Sequence, residues 1–380
     1  MRSNTQFFPM PRSYGMITLA VTGYILLVQA AKHRLVVGTF STYALYTFEY
    51  DDEAQSLVRL ASNPVPAASS WITMNHDKTK LYGTDWQALE PSFVSYDVTD
   101  PLDIKHEATI VAGAGCLGSL SIFVVANPSP PYAVYGSYYY GDAKCSTVMS
   151  VNDNGTLDGI VQNYTYANGS AAHGLAFSTD GKYLFSADTK GNSIWTHEID
   201  PETGAVSYFS ILPGTEAGAD PRHLVAHPSG EYMHAVLEGS SEIAEYVFSE
   251  EGKPALQTTY PLLRPGDDAA DFWADEVAIS ATRKYLWGTN RAHDDARKGY
   301  ISAFRLDGSG AIVEQMYLKE TDTSGGYANS VAPAPFADDI AALTDNSTGF
   351  VQIWDVGGSV VTTLEMDDGG GCCANVVWLD

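Results

Sequence analysis

An all-β, seven-bladed β-propeller is the fold predicted by three features of the sequence. First, a two-strand phrase, clearest in His173–Asp188 (HGLAFSTDGKYLFSAD), recurs along the chain. It reads as a strand, a polar turn at Ser178–Lys182 and a second strand with buried-strand alternation. Second, the second strands align on Leu35, Leu81, Ala133, Leu184, Met233, Leu286 and Ala341, at intervals of 46, 52, 51, 49, 53 and 55 residues. Seven units of about fifty residues match the period of propeller blades. Third, the ends complement each other. The first unit has no strand before it, and the last six residues, 375–380, form a strand with no partner after it. Pairing of 375–380 with 35–40 closes the ring and removes an exposed sheet edge.

From the N-terminus, residues 1–31 read as a secretory signal peptide. Arg2 and Arg12 precede an apolar run, Met16–Val28, which leads to the small residues Ala30 and Ala31. The run is short for a stable membrane span, although an uncleaved anchor is the alternative. Residues 32–380 form the single propeller domain. Inner strands are expected at Trp71–Asn75, Leu120–Ala126, Gly174–Phe177, His223–Ala226, Glu276–Ile279 and Ser330–Ala332. Following strands are expected at Ala44–Tyr50, Phe93–Val98, Ser193–Ile199, Ile243–Phe248, Tyr300–Arg305 and Phe350–Val356. The polar stretches Asp200–Ala219 and Pro254–Asp271 read as loops.

The composition suits this fold: 34 Gly and 18 Pro serve many tight turns, and 45% hydrophobic residues supply a core. The net charge of −25 repels phosphate backbones, so nucleic acid is set aside as a partner. Four Asn-x-Ser/Thr sequons stand at Asn154, Asn163, Asn168 and Asn346, the first three in what reads as a polar loop. With the signal they predict a glycosylated protein of the secretory pathway. In an oxidising compartment Cys116 and Cys145 could pair, but with Cys372 and Cys373 three connectivities are open. No cysteine or histidine spacing indicates a metal site, and no cofactor-binding fingerprint is present.

In a propeller the innermost strands line a central channel. Polar residues at the start of a first strand or the end of a second can therefore converge there from different blades. The candidates are Trp71, Asp85, His173, Asp188, Arg222, His223, Glu238, Asp275, Glu276, Asn290, Arg291, Asn329, Asp345 and Asn375. For Asp85, Asp188 and Asp345 the simpler role is capping a turn. His173, Arg222, Glu238 and Arg291 are the favoured site, because long charged groups need a partner or a wet channel. His227 reads as a turn residue, and His197 and His234 as packed or exposed. No Gly-x-Ser-x-Gly elbow is present, which argues against a hydrolase of that type. Thr323-Ser-Gly-Gly-Tyr327 reads as a loop at the rim, with Tyr327 a lining residue.

The chain resembles the fungal 3-carboxy-cis,cis-muconate cyclases, seven-bladed propellers of the lactonase-like family. The resemblance is densest in Pro131-Tyr-Ala-Val-Tyr135, Val161-Gln-Asn-Tyr164, His173-Gly-Leu-Ala-Phe177, Trp195-Thr-His197, Pro221-Arg222, Ala226-His-Pro-Ser-Gly230, Glu245-Tyr246 and Thr323-Ser-Gly-Gly326. It implies an acid/base and anion-binding set at His173, Arg222, Glu238 and Arg291. Two departures stand out. Tyr327 replaces the family's His after Ser-Gly-Gly, and Gly113–Gly118 replaces a His-Pro-Arg stretch. Those losses, with the signal and sequons, fit better a second group that the chain resembles in overall character. These are the fungal hetero-Diels–Alderases, which join a tropolone-type o-quinone methide to a humulene-type terpene. That likeness implies an aromatic mouth, with Trp71, Tyr138–Tyr140, Phe272 and Trp273 as candidates, and Tyr327 and Asn329 beside them. The leading expectation is a small-molecule cycloaddition enzyme without a cofactor, with a lactonising cycloisomerase and a non-catalytic binding propeller as the alternatives.

Overall fold

Seven four-stranded antiparallel sheets form the molecule, one for each repeat. The computed structural model describes residues 1, 31–113, 116–140, 144–249, 251–367 and 370–380. The segment read as a signal peptide lies outside them. Ala31–Asp380 form one compact unit. No helix among the described residues is long and apolar enough to cross a membrane.

Blade 4 shows how sequence builds each sheet. Its strands are Ala172–Phe177, Tyr183–Asp188, Ser193–Ile199 and Val206–Pro213, ordered from the axis outward. The turn after Phe177 closes through Gly181, whose φ of +72° suits glycine. Strand Tyr183–Asp188 is buried from Leu184 onward, because it lies between two strands and two neighbouring blades. The outermost strand alternates poorly and is mostly exposed. Between blades the apolar faces interlock. Val236 and Ile243 of blade 5 pack with Val277, Leu286 and Phe304 of blade 6. Each large side chain buried in this way contributes about 1.5–3 kcal/mol.

The ring closes where the ends of the chain predicted. Strand Val376–Trp378 pairs antiparallel with Leu35–Val37, a shorter contact than 375–380 with 35–40. Asn375 ties this closure to blade 2: its Oδ1 accepts from Ile72 N (2.8 Å) and its Nδ2 donates to Ile72 O (3.2 Å).

The expected loops are corrected. Asp200–Ala219 contains strand Val206–Pro213, and Pro254–Asp271 contains strand Pro254–Pro261. The segment with three sequons contains strand Leu157–Thr165. These are fourth strands, wet on most sides, so burial imposes little apolar alternation on them. Register shifts in their pairing blur the period further. Asn154, Asn163 and Asn168 are exposed. Asn346 is half-buried, with its Nδ2 donating to Cys372 O (3.1 Å). Cys116 is disulfide-bonded to Cys145, and Cys372 to Cys373.

Candidate functional site

The same irregularity recurs in four consecutive inner strands. Pairing with the second strand skips between Ser121 and Phe123, between Ala172 and Leu175, between Pro221 and His223, and between Ala274 and Val277. A bulge leaves extra residues unpaired and re-aims a side chain. The skipped residues include Ile122, His173, Arg222 and Asp275, and all four line a central cavity of about 260 Å³. Gly174, skipped with His173, has no room for a side chain: a Cβ there would lie 2.6 Å from Arg222 O. That close approach brings His173 of blade 4 beside His223 of blade 5. Glu238 follows strand Tyr232–Leu237, and Arg291 lies near the end of Tyr285–Ala292. Gly325 and Gly326, at φ +92° and +65°, turn the Thr323–Tyr327 loop so that Tyr327 O accepts from Arg291 Nη1 (3.2 Å).

The charged groups form a closed cluster. Arg222 Nε meets Glu238 Oε2 at 2.9 Å, and its Nη1 meets Asp275 Oδ1 at 2.7 Å. Arg291 Nε meets Asp275 Oδ1 at 3.1 Å, and its Nη2 meets Glu238 Oε2 at 3.5 Å. Asp275, 2% exposed, also accepts from Asn329 N (2.7 Å). Burial works against its charge, but Arg222 and Arg291 outweigh this and hold its carboxyl below the usual range. These guanidiniums form two ion pairs each, and two cations balance two carboxylates.

A second chain of polar groups runs behind His173. His173 Nδ1 lies 2.9 Å from His223 Nε2, and His223 Nδ1 lies 3.1 Å from Glu276 Oε2. Burial, followed by Arg222, holds both imidazoles well below their ordinary pKa, so they are neutral. Burial and Asp275 push the Glu276 carboxyl well above the carboxylate range. Trp71 packs its edge on His223 (4.7 Å) and stacks on Phe123 (4.5 Å).

The walls and mouth are aromatic: Phe40, Trp71, Trp86, Tyr139, Tyr140 and Trp273 line the cavity, with Tyr327 at its rim. Tyr327 is 65% exposed, and the Arg291 guanidinium lies 5.2 Å from the Trp273 ring centroid. The sequence-predicted His173, Arg222, Glu238, Arg291, Trp71, Trp273 and Tyr327 therefore come together. Three expectations are corrected. Phe272 faces away and is buried beside Ala292 and Tyr300, because successive residues of a strand point to opposite faces. Its neighbour Trp273 takes the cavity side. Tyr138 is buried for the same reason, with its hydroxyl 2.7 Å from Thr147 Oγ1, while Tyr139 and Tyr140 reach the cavity. Asn329 is fully buried beneath the site, with Nδ2 donating to Asn290 O (2.8 Å).

Asp188 and Asp345 cap turns. Asp188 Oδ1 accepts from Ala171 N and Gly191 N, both at 2.8 Å, and Asp345 Oδ1 accepts from Thr348 N (2.9 Å). His227 is a turn residue whose Nδ1 accepts from Ser229 N (3.2 Å). Phe40 and Trp86, which follow the second strands of the first two blades, join the aromatic wall without a sequence signal, since nothing in a single aromatic after a strand separates a lining residue from a packed one. Among the described residues no three His, Cys, Asp or Glu side chains are placed to share a metal ion.

The arrangement offers guanidinium N–H groups for an anionic oxygen, a histidine for proton transfer, and an aromatic enclosure. Its likeness to known proteins is extensive. The chain is 33% identical over 340 residues to a carboxy-cis,cis-muconate cyclase of Neurospora crassa, covering 85% of this chain and 92% of that protein. It is 27% identical to muconate cycloisomerase 1 of Cutaneotrichosporon cutaneum, covering 86% and 91%. Among solved structures, a putative 6-phosphogluconolactonase of Bacteroides fragilis superposes with a TM-score of 0.76 at 16% identity, covering 92% of this chain and 98% of that one. The periplasmic gluconolactonase of Pseudomonas aeruginosa gives 0.75 at 18% identity, covering 92% and 99%. Residues 34–327 match the family described as lactonase, 7-bladed beta-propeller, and the chain belongs to that family.

Proposed function

We propose that the protein is a lactonising cyclase acting on an unsaturated carboxylic acid. The single observation that carries this reading is the convergence of His173, Arg222, Glu238 and Arg291 on one cavity. The names of the two curated relatives, a muconate cyclase and a muconate cycloisomerase, support it. In the reaction a substrate carboxylate oxygen adds to a conjugated carbon and forms the C–O bond. The π pair of the alkene moves to the neighbouring carbon and onto its carbonyl as an enolate. Arg222 and Arg291 hold the enolate oxygen, and His173 delivers the proton that completes the addition. The test is incubation with cis,cis-muconate and with 3-carboxy-cis,cis-muconate, following loss of diene absorbance. Turnover that falls on the order of 10²-fold or more in His173→Ala supports the reading. No turnover of either acid overturns it.

One observation favours a second reading. The walls are aromatic, and the two arginines are already balanced by Asp275 and Glu238. Such a cavity suits a substrate with an apolar body and few charges, as in a hetero-Diels–Alder reaction between an o-quinone methide and humulene. Arg222 or Arg291 would then donate to the developing oxyanion. The test is incubation of humulene with an o-quinone methide generated in solution. A single cycloadduct stereoisomer formed above background supports this reading, and the background mixture overturns it.

A further inference from the structure

We propose that Glu276, His223 and His173 form a directed proton-delivery chain that opens into the cavity, with Glu276 the acid behind His173. The destination of the proton rests on the lactonising reading; the chain itself stands on geometry. The three side chains come from blades 6, 5 and 4 and are 7%, 1% and 6% exposed. Only His173 among them lines the cavity. The links are 3.1 Å from Glu276 Oε2 to His223 Nδ1 and 2.9 Å from His223 Nε2 to His173 Nδ1.

Arg222 sets the direction. Its Nη1 lies 3.4 Å from His223 Nδ1, and a guanidinium nitrogen only donates. The same Nη1 donates to Asp275 O at 2.5 Å, so the cation is fixed beside the ring, and in the proposed direction His223 Nδ1 is the acceptor and bears no proton. Its proton sits on Nε2 and is donated to His173 Nδ1. The proton of His173 then sits on Nε2, the nitrogen not engaged by His223. At the other end, an oxygen facing a bare Nδ1 has to carry a proton. Glu276 Oε1 accepts from Val277 N (3.0 Å), which leaves Oε2 as the protonated oxygen. The other polar groups around the chain are Arg291, Asp275, Glu238, Tyr139 and Ser330, whose hydroxyl bonds the Glu276 carboxyl. None of them donates to or accepts from the histidine nitrogens used in these links.

The arrangement answers a chemical difficulty. A buried neutral imidazole is by itself a weak acid toward an enolate carbon. In the chain, His173 Nε2 gives its proton to carbon while its Nδ1 takes the proton of His223 Nε2. His223 Nδ1 takes the proton of Glu276. One proton has left Glu276, one C–H bond has formed, and the new carboxylate lies near the Arg222 cation. Water returns the proton after product leaves. Trp71 and Phe123, at 4.7 and 5.0 Å from the His223 ring, hold that ring in line. His223 and Glu276 are positioning residues and His173 is the catalytic one.

The experiment is nitrogen-15 NMR of the histidines in the wild-type protein without substrate at pH 7, with His173→Gln and His223→Phe used to assign the signals. Both rings are expected to be neutral with the proton on Nε2. A proton on Nδ1 of His223 overturns the proposal, because the chain then runs toward Glu276. Glu276→Gln keeps a donor to Nδ1 but has no proton to release. It is expected to leave the tautomers unchanged and to lower kcat on the turned-over muconate by on the order of 10²-fold, with KM nearly constant. A wild-type kcat in that variant also overturns the proposal. If the muconates are not turned over, the lactonising reading fails while the tautomers still decide the chain.

Discussion

Asp275 is the residue on which the centre of the molecule depends. One of its oxygens faces two guanidiniums, and the other holds the backbone of Asn329. Asp275→Asn leaves two buried arginines sharing Glu238 alone. Breaking a buried pair from one side costs about 3–5 kcal/mol. Urea unfolding at pH 7 is expected to show a loss of that order, and a loss near zero would mean that Glu238 balances both arginines. The buried histidines set the response to acid. Burial lowers the pKa of His197 to about 4 and that of His234 to about 3, against an ordinary 6.5. Below pH 6.5 the unfolded chain takes up protons that the folded one refuses, so stability falls as the pH drops from 6.5 toward 4. Asp275, with its carboxyl held low, adds stability above its ordinary 3.8 and loses it only at lower pH. Comparing urea midpoints at pH 7 and pH 5 checks this. His197→Phe, among Tyr164, Tyr166 and Trp195, is expected to shrink the difference.

At the scale of single strands, two devices matter. The repeated inner-strand bulge turns Ile122, His173, Arg222 and Asp275 toward the axis, and each blade contributes a different chemistry through one backbone irregularity. The closing strand Val376–Trp378 is only three residues long but joins the first blade to the last part of the chain. Deletion of residues 375–380 is expected to expose the edge at Leu35–Val37 and to yield aggregates on gel filtration. Asn375→Ala is milder. It leaves the strand but frees two buried backbone groups of Ile72, at a cost of about 1–3 kcal/mol each at most. A midpoint equal to wild type would show that water replaces the amide there.

The chain as a whole is strongly acidic, net −25, yet at the centre of the propeller the charges cancel. Its net charge therefore says nothing of the cavity, which is lined by two arginines, two carboxylates and an aromatic wall. We propose that the chain passes through the secretory pathway, as the N-terminal segment and the sequons suggest. Expression in a eukaryotic host is then expected to give a protein whose mass falls on treatment with an N-glycosidase. Asn154, Asn163 and Asn168 are exposed and are the expected acceptors, while Asn346 has its Nδ2 engaged. An unchanged mass would count against the pathway.

Much of this was legible in the chain itself. The second strands are buried on both faces along most of their length, so their apolar runs repeat and give the number of blades. Their neighbours in the sheet follow from the turns between them. His173, Arg222, Glu238 and Arg291 were legible because a charged residue at the axis end of a buried strand has few alternatives to a wet channel. The outer strands were not legible, since water covers them and leaves no period. Nor was the difference between Phe272 and Trp273, or between Tyr138 and Tyr139, because one residue of register decides which of two adjacent rings faces the axis. Asp275, His223 and Glu276 stood among the ring candidates, but Arg222 as partner of Asp275, and His173 and Glu276 as partners of His223, lie 50 or more residues away in other blades. The sequence by itself determined the repeat, the closure and the sign of each charge. Only the tertiary structure decided which charges cancel and which nitrogen faces which oxygen, because those depend on distances of a few ångströms between blades.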